Sequence, residues 1–191
     1  CRELKNKFQL PVSIINDAKA AALGEMVFGK ARDLENFIMI TLGTGLGSCF
    51  VFNRQVINGF NGMASELGHT KIAKENRRCE CGKLGCLETF ASAGGVCRSV
   101  FEIICSAKKK TPLMNYSFNE LTAEIVTQFA AQGDETALQA YEKTGTVLGA
   151  KLADFINVFN PDAVLFSGGL VAAGKFLFDP LEKAIDENLL F

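Results

Sequence analysis

The feature that most constrains the fold is a stripe of apolar and small residues along one side of a long predicted helix. Its members, spaced alternately three and four apart, are Leu138, Tyr141, Gly145, Leu148, Leu152, Phe155 and Phe159. This spacing places them on one face of an α-helix, which we expect to begin near Asp134 and to end at Pro161. The following run, DAVLFSGG (162–169), is predicted to be an apolar strand that ends in two glycines. A long helix beside such a strand indicates an α/β fold.

Further elements are predicted on the N-terminal side of this unit. Residues 10–15 (LPVSII) are predicted to form a buried strand, which leads into a helix that begins after Asn16 and Asp17 and stops at Gly29. The segments NFIMITL, SCFVF and RQVING are predicted to be three strands. TFASAGGVCRSVFEIICSAKK (89–109) is predicted to be helical but broken by Gly94 and Gly95, and a segment near residues 120–131 is predicted to be a further helix. The last helix is expected to break at Pro180. This order predicts an α/β fold with a mixed β-sheet flanked by helices.

Composition narrows the class of protein and its compartment. The 191 residues include 20 Lys and Arg against 21 Asp and Glu, so the chain has no positive excess for binding a nucleic acid backbone. No apolar run approaches the roughly 20 residues that a bilayer span needs, and the N-terminus lacks the apolar centre of a secretory signal. Seven cysteines, unevenly spaced, fit reduced thiols and a metal site better than a disulfide framework. We therefore expect a cytoplasmic protein whose partners include neither nucleic acid nor membrane.

The segment CECGKLGCLE is the most specific chemical motif of the chain. It contains Cys79, Cys81 and Cys86, and the only histidine of the sequence, His69, lies ten positions upstream of Cys79. Three thiolates and one imidazole can close a tetrahedral zinc site of the structural type. The alternative is a set of unligated thiols, although the charged and glycine neighbours do not suit a buried apolar role.

The segment TLGTGLGS carries glycines at alternate positions. Backbone N–H groups in such a loop can line an anion nest for phosphate, and the hydroxyls of Thr41 and Thr44 favour this. The dinucleotide-binding fingerprint does not apply, because that pattern must open a helix and a strand follows here. A simple hairpin turn is the alternative. The glycine pair Gly168 and Gly169 either allows close helix–strand packing or lets a flat ring approach the backbone.

Three carboxylates are candidates for chemistry. Asp17, between a strand end and a helix start, either stabilises the helix N-terminus or faces a ligand crevice as a proton acceptor. Glu66 and His69 are three residues apart, so one helical turn would bring both side chains to one side. A metal that folds the cysteine segment could also draw Glu88 toward them and form a charged patch. Each glutamate taken alone is more often a solvated surface charge.

Together these segments resemble the ROK family of bacterial repressors and sugar kinases, within the actin-like and hexokinase-like ATPase superfamily. The match is carried, in the family's order, by INDAKAAALGE, ITLGTGLGS, ASELGH with CECGKLGCLE, and NPDAVLFSGG. The combination of E-x-G-H with C-x-C-G-x-x-G-C-x-E is its most specific part. The resemblance implies an actin-like, hexokinase-like (ribonuclease H-like) α/β lobe with a zinc-bearing loop.

The resemblance also implies a role for each matching residue. Asp17 corresponds to the catalytic base that takes a proton from a sugar hydroxyl as it attacks the γ-phosphorus of ATP. The implied sugar ligands are Asn16, Glu66, His69 and Glu88. The implied ATP-binding residues are Thr41, Gly43, Thr44, Gly45, Gly168 and Gly169, and the implied structural zinc ligands are His69, Cys79, Cys81 and Cys86. A hexose and ATP with Mg²⁺ would be the substrates, and a homo-oligomer the assembly.

Some features depart from the family pattern. No D-x-G-G-T-like phosphate loop occurs, so residues 1–191 are expected to be the C-terminal lobe of a longer protein, without its N-terminal lobe and final helix. This lobe alone should not be a competent kinase. Lys19 stands where the family often has a second asparagine, which leaves the sugar open. For the full-length protein the leading expectation is an ATP-dependent, glucokinase-like hexose kinase, with a sugar-sensing transcriptional repressor or an N-acetylhexosamine kinase as alternatives.

Overall fold

A four-stranded mixed sheet lies at the centre of the computed structural model, which describes residues 1–73, 75–107 and 110–190. The strands are β1 (Phe37–Leu42), β2 (Leu46–Phe52), β3 (Gln55–Val56) and β4 (Ala163–Ser167). Their order is β3-β2-β1-β4, and β1 pairs antiparallel with β2 but parallel with β4. The prediction of a mixed sheet is confirmed.

The helices are α1 (Arg2–Phe8), α2 (Asp17–Phe28), α3 (Ala93–Ala107), α4 (Ala123–Ala131), α5 (Glu135–Phe159) and α6 (Lys175–Asn188). Two of the predicted helix starts are fixed by side-chain caps, since Asn16 accepts a hydrogen bond from the N–H of Lys19 and Asp134 from that of Ala137. No described helix combines the length and the apolar character needed to cross a bilayer. The break expected at Gly94 and Gly95 is wrong, since both glycines lie in the first turn of α3. Residues 108 and 109 of the helix predicted at 89–109 lie outside the described residues, as does residue 191.

The sheet separates two apolar layers because successive side chains of a strand point to opposite faces. Ile38 and Ile40 of β1 belong to the larger cluster, which includes residues of α3, α5 and α6. Phe37 and Met39 belong to a smaller cluster that includes Ala22 of α2. The sheet is therefore covered by helices on both faces.

The contact between α5 and α6 depends on glycine. A Cβ on Gly145 would lie 2.6 Å from the carbonyl oxygen of Leu177 and 2.7 Å from Cγ of Pro180. The predicted break at Pro180 is wrong, since α6 runs unbroken from Lys175 to Asn188 with the proline inside it. Proline removes one helical hydrogen bond, but packing against α5, where Gly145 leaves room for the ring, holds the helix on both sides of it.

The predicted buried strand at residues 10–15 is also wrong. No described strand pairs with this segment, and Leu10 and Ile14 are 63% and 78% exposed. An apolar, β-branched run becomes a strand only where a neighbouring strand supplies the ladder and a packed face. The described residues between Gly59 and Cys86 are largely irregular, with a short 3-10 helix at Leu67–His69, and a second short 3-10 helix, Leu87–Thr89, follows.

Candidate functional site

The TLGTGLGS segment forms the turn between β1 and β2. Within residues 43–45 the N–H of Gly43 donates to the carbonyl oxygen of Gly45 at 3.0 Å. The backbone of this segment is thus a hairpin turn, and phosphate binding by the turn stays a prediction. Thr41 pairs in register with Ser167 of the parallel strand β4, so the turn and the carboxyl end of β4 share one edge of the sheet.

The two glycines that follow β4 have different surroundings. Gly168 has a φ of 99°, and a Cβ there would overlap the carbonyl oxygen of Leu42, so this position requires glycine for close approach to β1. Gly169 has no atom within 4 Å of a Cβ position and lines a cavity. Close packing thus explains Gly168, although its neighbour is the backbone of strand β1 rather than a helix, and the approach of a flat ring to Gly169 stays a prediction.

A cavity of about 350 Å³ opens between the β1–β2 turn and Gly169. Its lining includes Gly43, Thr44 and Gly169 from the predicted nucleotide residues, whereas Thr41, Gly45 and Gly168 do not line it. The sequence interpretation missed the rest of the lining, which is Ala93, Thr122, Ala123, Glu124, Thr127, Leu170 and Ala172.

The missed wall consists largely of the first turn of α4. Thr122 caps this helix, and its side chain accepts a hydrogen bond from the N–H of Ile125. The sequence does contain one signal for this wall, a threonine that can cap a helix. The free N–H groups and the positive dipole end of a helix N-terminus favour anions. The capping threonine does not reveal that the start of α4 lies beside the β1–β2 turn.

The predicted metal ligands His69, Cys79, Cys81 and Cys86 lie together. Their ligand atoms are all within 4.8 Å of one another. Cys79 Sγ lies 3.8 Å from His69 Nδ1, and Cys81 Sγ lies 3.6 Å from Cys86 Sγ. In a tetrahedral zinc site with Zn–S bonds of about 2.3 Å, ligand atoms are about 3.7 Å apart. The four residues therefore fit a zinc ion in both type and spacing.

The three thiols of this cluster have different environments. Burial raises the pKa of Cys79 to about 12 and also raises the pKa of Cys86. A backbone hydrogen bond from Lys83 lowers the pKa of Cys81. A divalent cation favours the thiolate form, so metal binding would release protons from these groups.

Hydrogen bonds to β2 hold the segment that contains His69. The hydroxyl of Ser48 accepts from the N–H of Leu67 at 3.0 Å and donates to the carbonyl oxygen of Ser65. A Cβ on Gly68 would lie 2.6 Å from the carbonyl oxygen of Leu46, so this segment approaches the end of the β1–β2 turn closely. The E-x-G-H glycine is explained by that approach.

Glu88 lies between the turn and the metal-ligand cluster. Its Oε2 accepts a hydrogen bond from the N–H of Leu46 at 3.1 Å, and the thiol of Cys79 donates to its Oε1 at 3.6 Å. A Cβ on Gly45 would lie 2.5 Å from Oε2. His69 and Glu88 thus both approach Cys79, which is consistent with the charged patch expected from the sequence.

Glu66 belongs to the same segment but has other surroundings. The N–H of His69 donates to the carbonyl oxygen of Glu66 at 3.2 Å, which forms the predicted single turn. Glu66 lines a mostly apolar cavity of about 310 Å³ together with Phe50, Phe155 and Phe159. Within the described residues no hydrogen bond joins its carboxylate to His69 or Glu88, and a shared patch of the three side chains stays a prediction.

Asp17 is exposed at the start of α2. Its Oδ1 accepts from the N–H of Ala18 at 2.8 Å, while Asn16 supplies the cap. A Cβ on Gly47 would lie 3.1 Å from Cβ of Ala18, so the helix start packs on the first residues of β2. The Asp17 carboxylate therefore lies near the β1–β2 turn and is accessible to a ligand.

Lys19 is buried, with 5% of its surface exposed. Its Nζ donates to the carbonyl oxygen of Gly62 at 2.8 Å and to Oδ1 of Asn58 at 3.1 Å. These bonds tie α2 to the loop that precedes Glu66. The side chain therefore has a structural explanation.

The chain matches a known protein family over almost its whole length. The model of the ROK family matches residues 1–190. The chain is 39% identical over 190 residues to a glucokinase of Halalkalibacterium halodurans, covering 98% of the chain and 58% of that protein. It is 31% identical over 184 residues to a putative xylose repressor of Caldicellulosiruptor sp., covering 96% of the chain and 46% of that protein.

A solved structure shows the same architecture. The crystal structure of a ROK family glucokinase from Streptomyces griseus, in complex with glucose and AMPPNP, matches with a TM-score of 0.87 and 30% identity, covering 100% of this chain and 62% of that one. The chain thus spans about half to three fifths of the length of these relatives. The expected actin-like, hexokinase-like α/β fold is confirmed, and the chain belongs to the ROK family.

Proposed function

We propose that the full-length protein is an ATP-dependent hexose kinase similar to the glucokinases. The observation that carries this proposal is the exposed carboxylate of Asp17 near the edge of the sheet where Glu88 bonds the β1–β2 turn. The 39% identity to a glucokinase supports it. In this proposal residues 1–191 form the C-terminal lobe of a cytoplasmic homo-oligomer, and the N-terminal lobe supplies the other wall of the cleft.

In the proposed reaction a sugar hydroxyl oxygen bonds to the γ-phosphorus of ATP, the bond from that phosphorus to the bridging oxygen breaks, and ADP leaves. Asp17 accepts the hydroxyl proton. Such transfers depend mainly on positioning and on charge stabilisation. The proposed sugar ligands are Asn16, Glu66, His69 and Glu88, whose carbonyl, carboxylate and imidazole groups match the donors and acceptors of a sugar.

The nucleotide is proposed to occupy the cavity beside the β1–β2 turn. A volume of about 350 Å³ is within the range of small-molecule pockets. The proposed contacts that line the cavity are Gly43 and Thr44 on the phosphate side, with Mg²⁺ carried by ATP, and Gly169 on the adenosine side. Thr41, Gly45 and Gly168 do not line the cavity, and their proposed part in ATP binding is to shape the backbone next to these contacts. The apolar Leu170 and Ala172 give the lining a surface against which a base can pack.

His69, Cys79, Cys81 and Cys86 are proposed to hold a structural zinc ion, which would order the loop without taking part in phosphoryl transfer. Nδ1 of His69 is the ring nitrogen that faces Cys79. With Nδ1 as the ligand atom, Nε2 must carry the proton and becomes a fixed hydrogen-bond donor to a sugar oxygen.

The test is an assay of ADP release by the full-length protein with glucose, mannose, N-acetylglucosamine and N-acetylmannosamine. Asp17→Asn should lower kcat about 10²- to 10⁴-fold while sugar binding is kept, because the substitution removes the proton acceptor. Asp33→Asn, at an exposed aspartate beyond the other end of α2, is the matched control and should keep wild-type kcat. Unchanged turnover of Asp17→Asn would remove Asp17 from the mechanism.

A sugar-sensing repressor is the second candidate, favoured by the 31% identity to a putative xylose repressor over 96% of the chain. A folded protein that binds a sugar but releases no ADP would support the sensor over the kinase. Turnover with only the N-acetylated sugars would instead identify an N-acetylhexosamine kinase.

A further inference from the structure

Arg77 is a buried charged side chain that the proposed reaction does not use. It is 3% exposed and precedes Cys79 by two residues. Its guanidinium lies over the ring of Phe90, 3.9 Å from the ring centroid. A buried charge is tolerated only where hydrogen bonds and an opposite charge compensate for the lost water.

Arg77 bonds to the segment that follows Glu88 and to α3. Its Nη1 donates to the carbonyl oxygens of Thr89 at 2.6 Å and Gly95 at 3.3 Å. Its Nη2 donates to the hydroxyl of Ser99 at 2.9 Å and to Oε2 of Glu102 at 2.6 Å, and Nε donates to the other carboxylate oxygen at 3.1 Å. This bidentate pair fixes the plane of the guanidinium.

The backbone of Arg77 is fixed in the metal-ligand loop at the same time. Its carbonyl oxygen accepts a hydrogen bond from the N–H of Gly85 at 2.8 Å, and the next residue, Arg78, forms an isolated β-bridge with Leu84. The residue therefore joins two parts of the molecule: the loop that contains Cys79, Cys81 and Cys86, and the segment that begins immediately after Glu88.

We propose that Arg77 is a positioning residue of the sugar site, which sets where the Glu88 carboxylate lies relative to the metal-ligand loop. The inference rests on the proposed function, because it takes Glu88 as a sugar ligand. Arg77 acts through the backbone of Thr89 and the ring of Phe90, and it touches no proposed substrate group. Phe90 is also held by α5, since its carbonyl oxygen accepts a hydrogen bond from the hydroxyl of Thr144 at 3.2 Å.

Arg98 provides a matched control. Its Nε donates to Oε1 of Glu102 at 3.1 Å, like that of Arg77, but its side chain is 39% exposed and lies on α3. Lys143 also approaches Glu102, at 3.4 Å. The shared carboxylate means that Arg98→Lys perturbs the same charge cluster without altering the bonds to Thr89 and Gly95.

The test is calorimetric binding of sugar and of ATP to the full-length protein, with zinc content measured on the same samples. Lysine at position 77 keeps the charge but lacks the planar fork that reaches Thr89 and Glu102 together. We expect Arg77→Lys to raise the Kd for sugar about 10- to 100-fold, with the Kd for ATP and the zinc content unchanged. Arg98→Lys should leave all three at wild-type values.

Several outcomes would overturn the inference. A folded Arg77→Lys protein with the wild-type Kd for sugar would do so, as would one that loses sugar, ATP and zinc together, since that pattern indicates a general structural role. If Arg77→Lys does not fold, Glu102→Gln removes the ionic partner that fixes the plane of the Arg77 guanidinium. The bond from Arg77 to Thr89 then loses its fixed orientation, and sugar binding alone should weaken. A wild-type Kd for sugar in that variant would then contradict the role of Arg77.

Binding is measured without turnover, so the inference can be separated from the kinase proposal. Wild-type protein that binds sugar but releases no ADP contradicts only the kinase, and the Kd values still decide on Arg77. Wild-type protein that binds none of the four sugars contradicts the sugar site and overturns both.

Discussion

The carboxylate of Glu88 accepts a hydrogen bond from the backbone N–H of Leu46 at 3.1 Å. This contact joins the residue proposed to bind sugar to the turn proposed to contact phosphate. The second oxygen of Glu88 lies 3.6 Å from Cys79 Sγ. One side chain thus links the turn, the sugar site and the metal-ligand cluster, which makes its charge the first property to test.

Glu88→Gln should weaken sugar binding by the full-length protein. The amide keeps the size of the side chain and one acceptor for Leu46, but it lacks the charge that strengthens a bond to a sugar hydroxyl. Hydrogen bonds to charged groups contribute about 1.5–3 kcal/mol, so the Kd for sugar should rise about 10- to 100-fold. Calorimetry measures the change. Glu80→Gln, at an exposed glutamate of the same loop, should keep the wild-type Kd, and an equal effect of both substitutions would refute this reading of Glu88.

The metal-ligand cluster should contain stoichiometric zinc in the purified full-length protein. Cys81→Ser removes one thiolate and should abolish stoichiometric binding, because a tetrahedral structural site needs all four ligands. Cys105→Ser, at an exposed cysteine of α3, should keep the zinc. Elemental analysis by mass spectrometry measures both. A strong chelator should also lower the thermal midpoint of the wild type, and full zinc occupancy in Cys81→Ser would contradict the ligand set.

Gly145→Ala should destabilise the protein. The new Cβ would lie 2.6 Å from the carbonyl oxygen of Leu177 and 3.0 Å from the backbone nitrogen of Leu181, so α5 and α6 must separate. Overpacking of this kind lowers the free energy of unfolding by about 1–3 kcal/mol. Gly24→Ala in α2 is the control, because its Cβ would meet no atom within 4 Å, and it should stabilise the helix by about 0.5–1 kcal/mol. Urea denaturation measures both, and similar losses would argue against close packing as the cause.

The ion cluster around Glu102 predicts a loss of stability in acid. Burial alone would raise the pKa of Glu102, but the hydrogen bond and charge of Arg77, with the charge of Lys143 and the hydrogen bond of Arg98, bring it below its ordinary value of 4.5. The unfolded chain therefore binds this proton more readily than the folded one. The stabilisation is complete above the ordinary value and is lost as the pH falls through the lower, folded-state pKa.

Thermal midpoints measured between about pH 3 and pH 7 test this dependence. Glu102→Gln should show a smaller drop on the acid side than the wild type, because it has no proton to take up. Glu142→Gln, at an exposed glutamate of α5, should follow the wild-type curve. Parallel curves for wild type and Glu102→Gln would show that another carboxylate is responsible.

Local patterns in the sequence determined most helices and strands and the composition of the candidate metal site. The spacing of apolar residues predicted α5, and the capping side chains Asn16 and Asp134 mark where two helices start. The cysteine and histidine spacing identified four residues whose ligand atoms lie within 4.8 Å in the structure. Periodicity, capping and ligand spacing are properties of residues close together in the chain, so they can be read without the fold.

The tertiary structure alone decided features that join distant segments. Residues 10–15 have the composition of a strand but no described partner, and Pro180 lies inside a continuous helix because α5 packs against it. The contribution of α4 to the cavity and the bonds from Arg77 to Thr89 and Glu102 likewise have no local signal. These features depend on strand register and on how closely helices approach, which are set by the packing of the whole domain rather than by neighbouring residues.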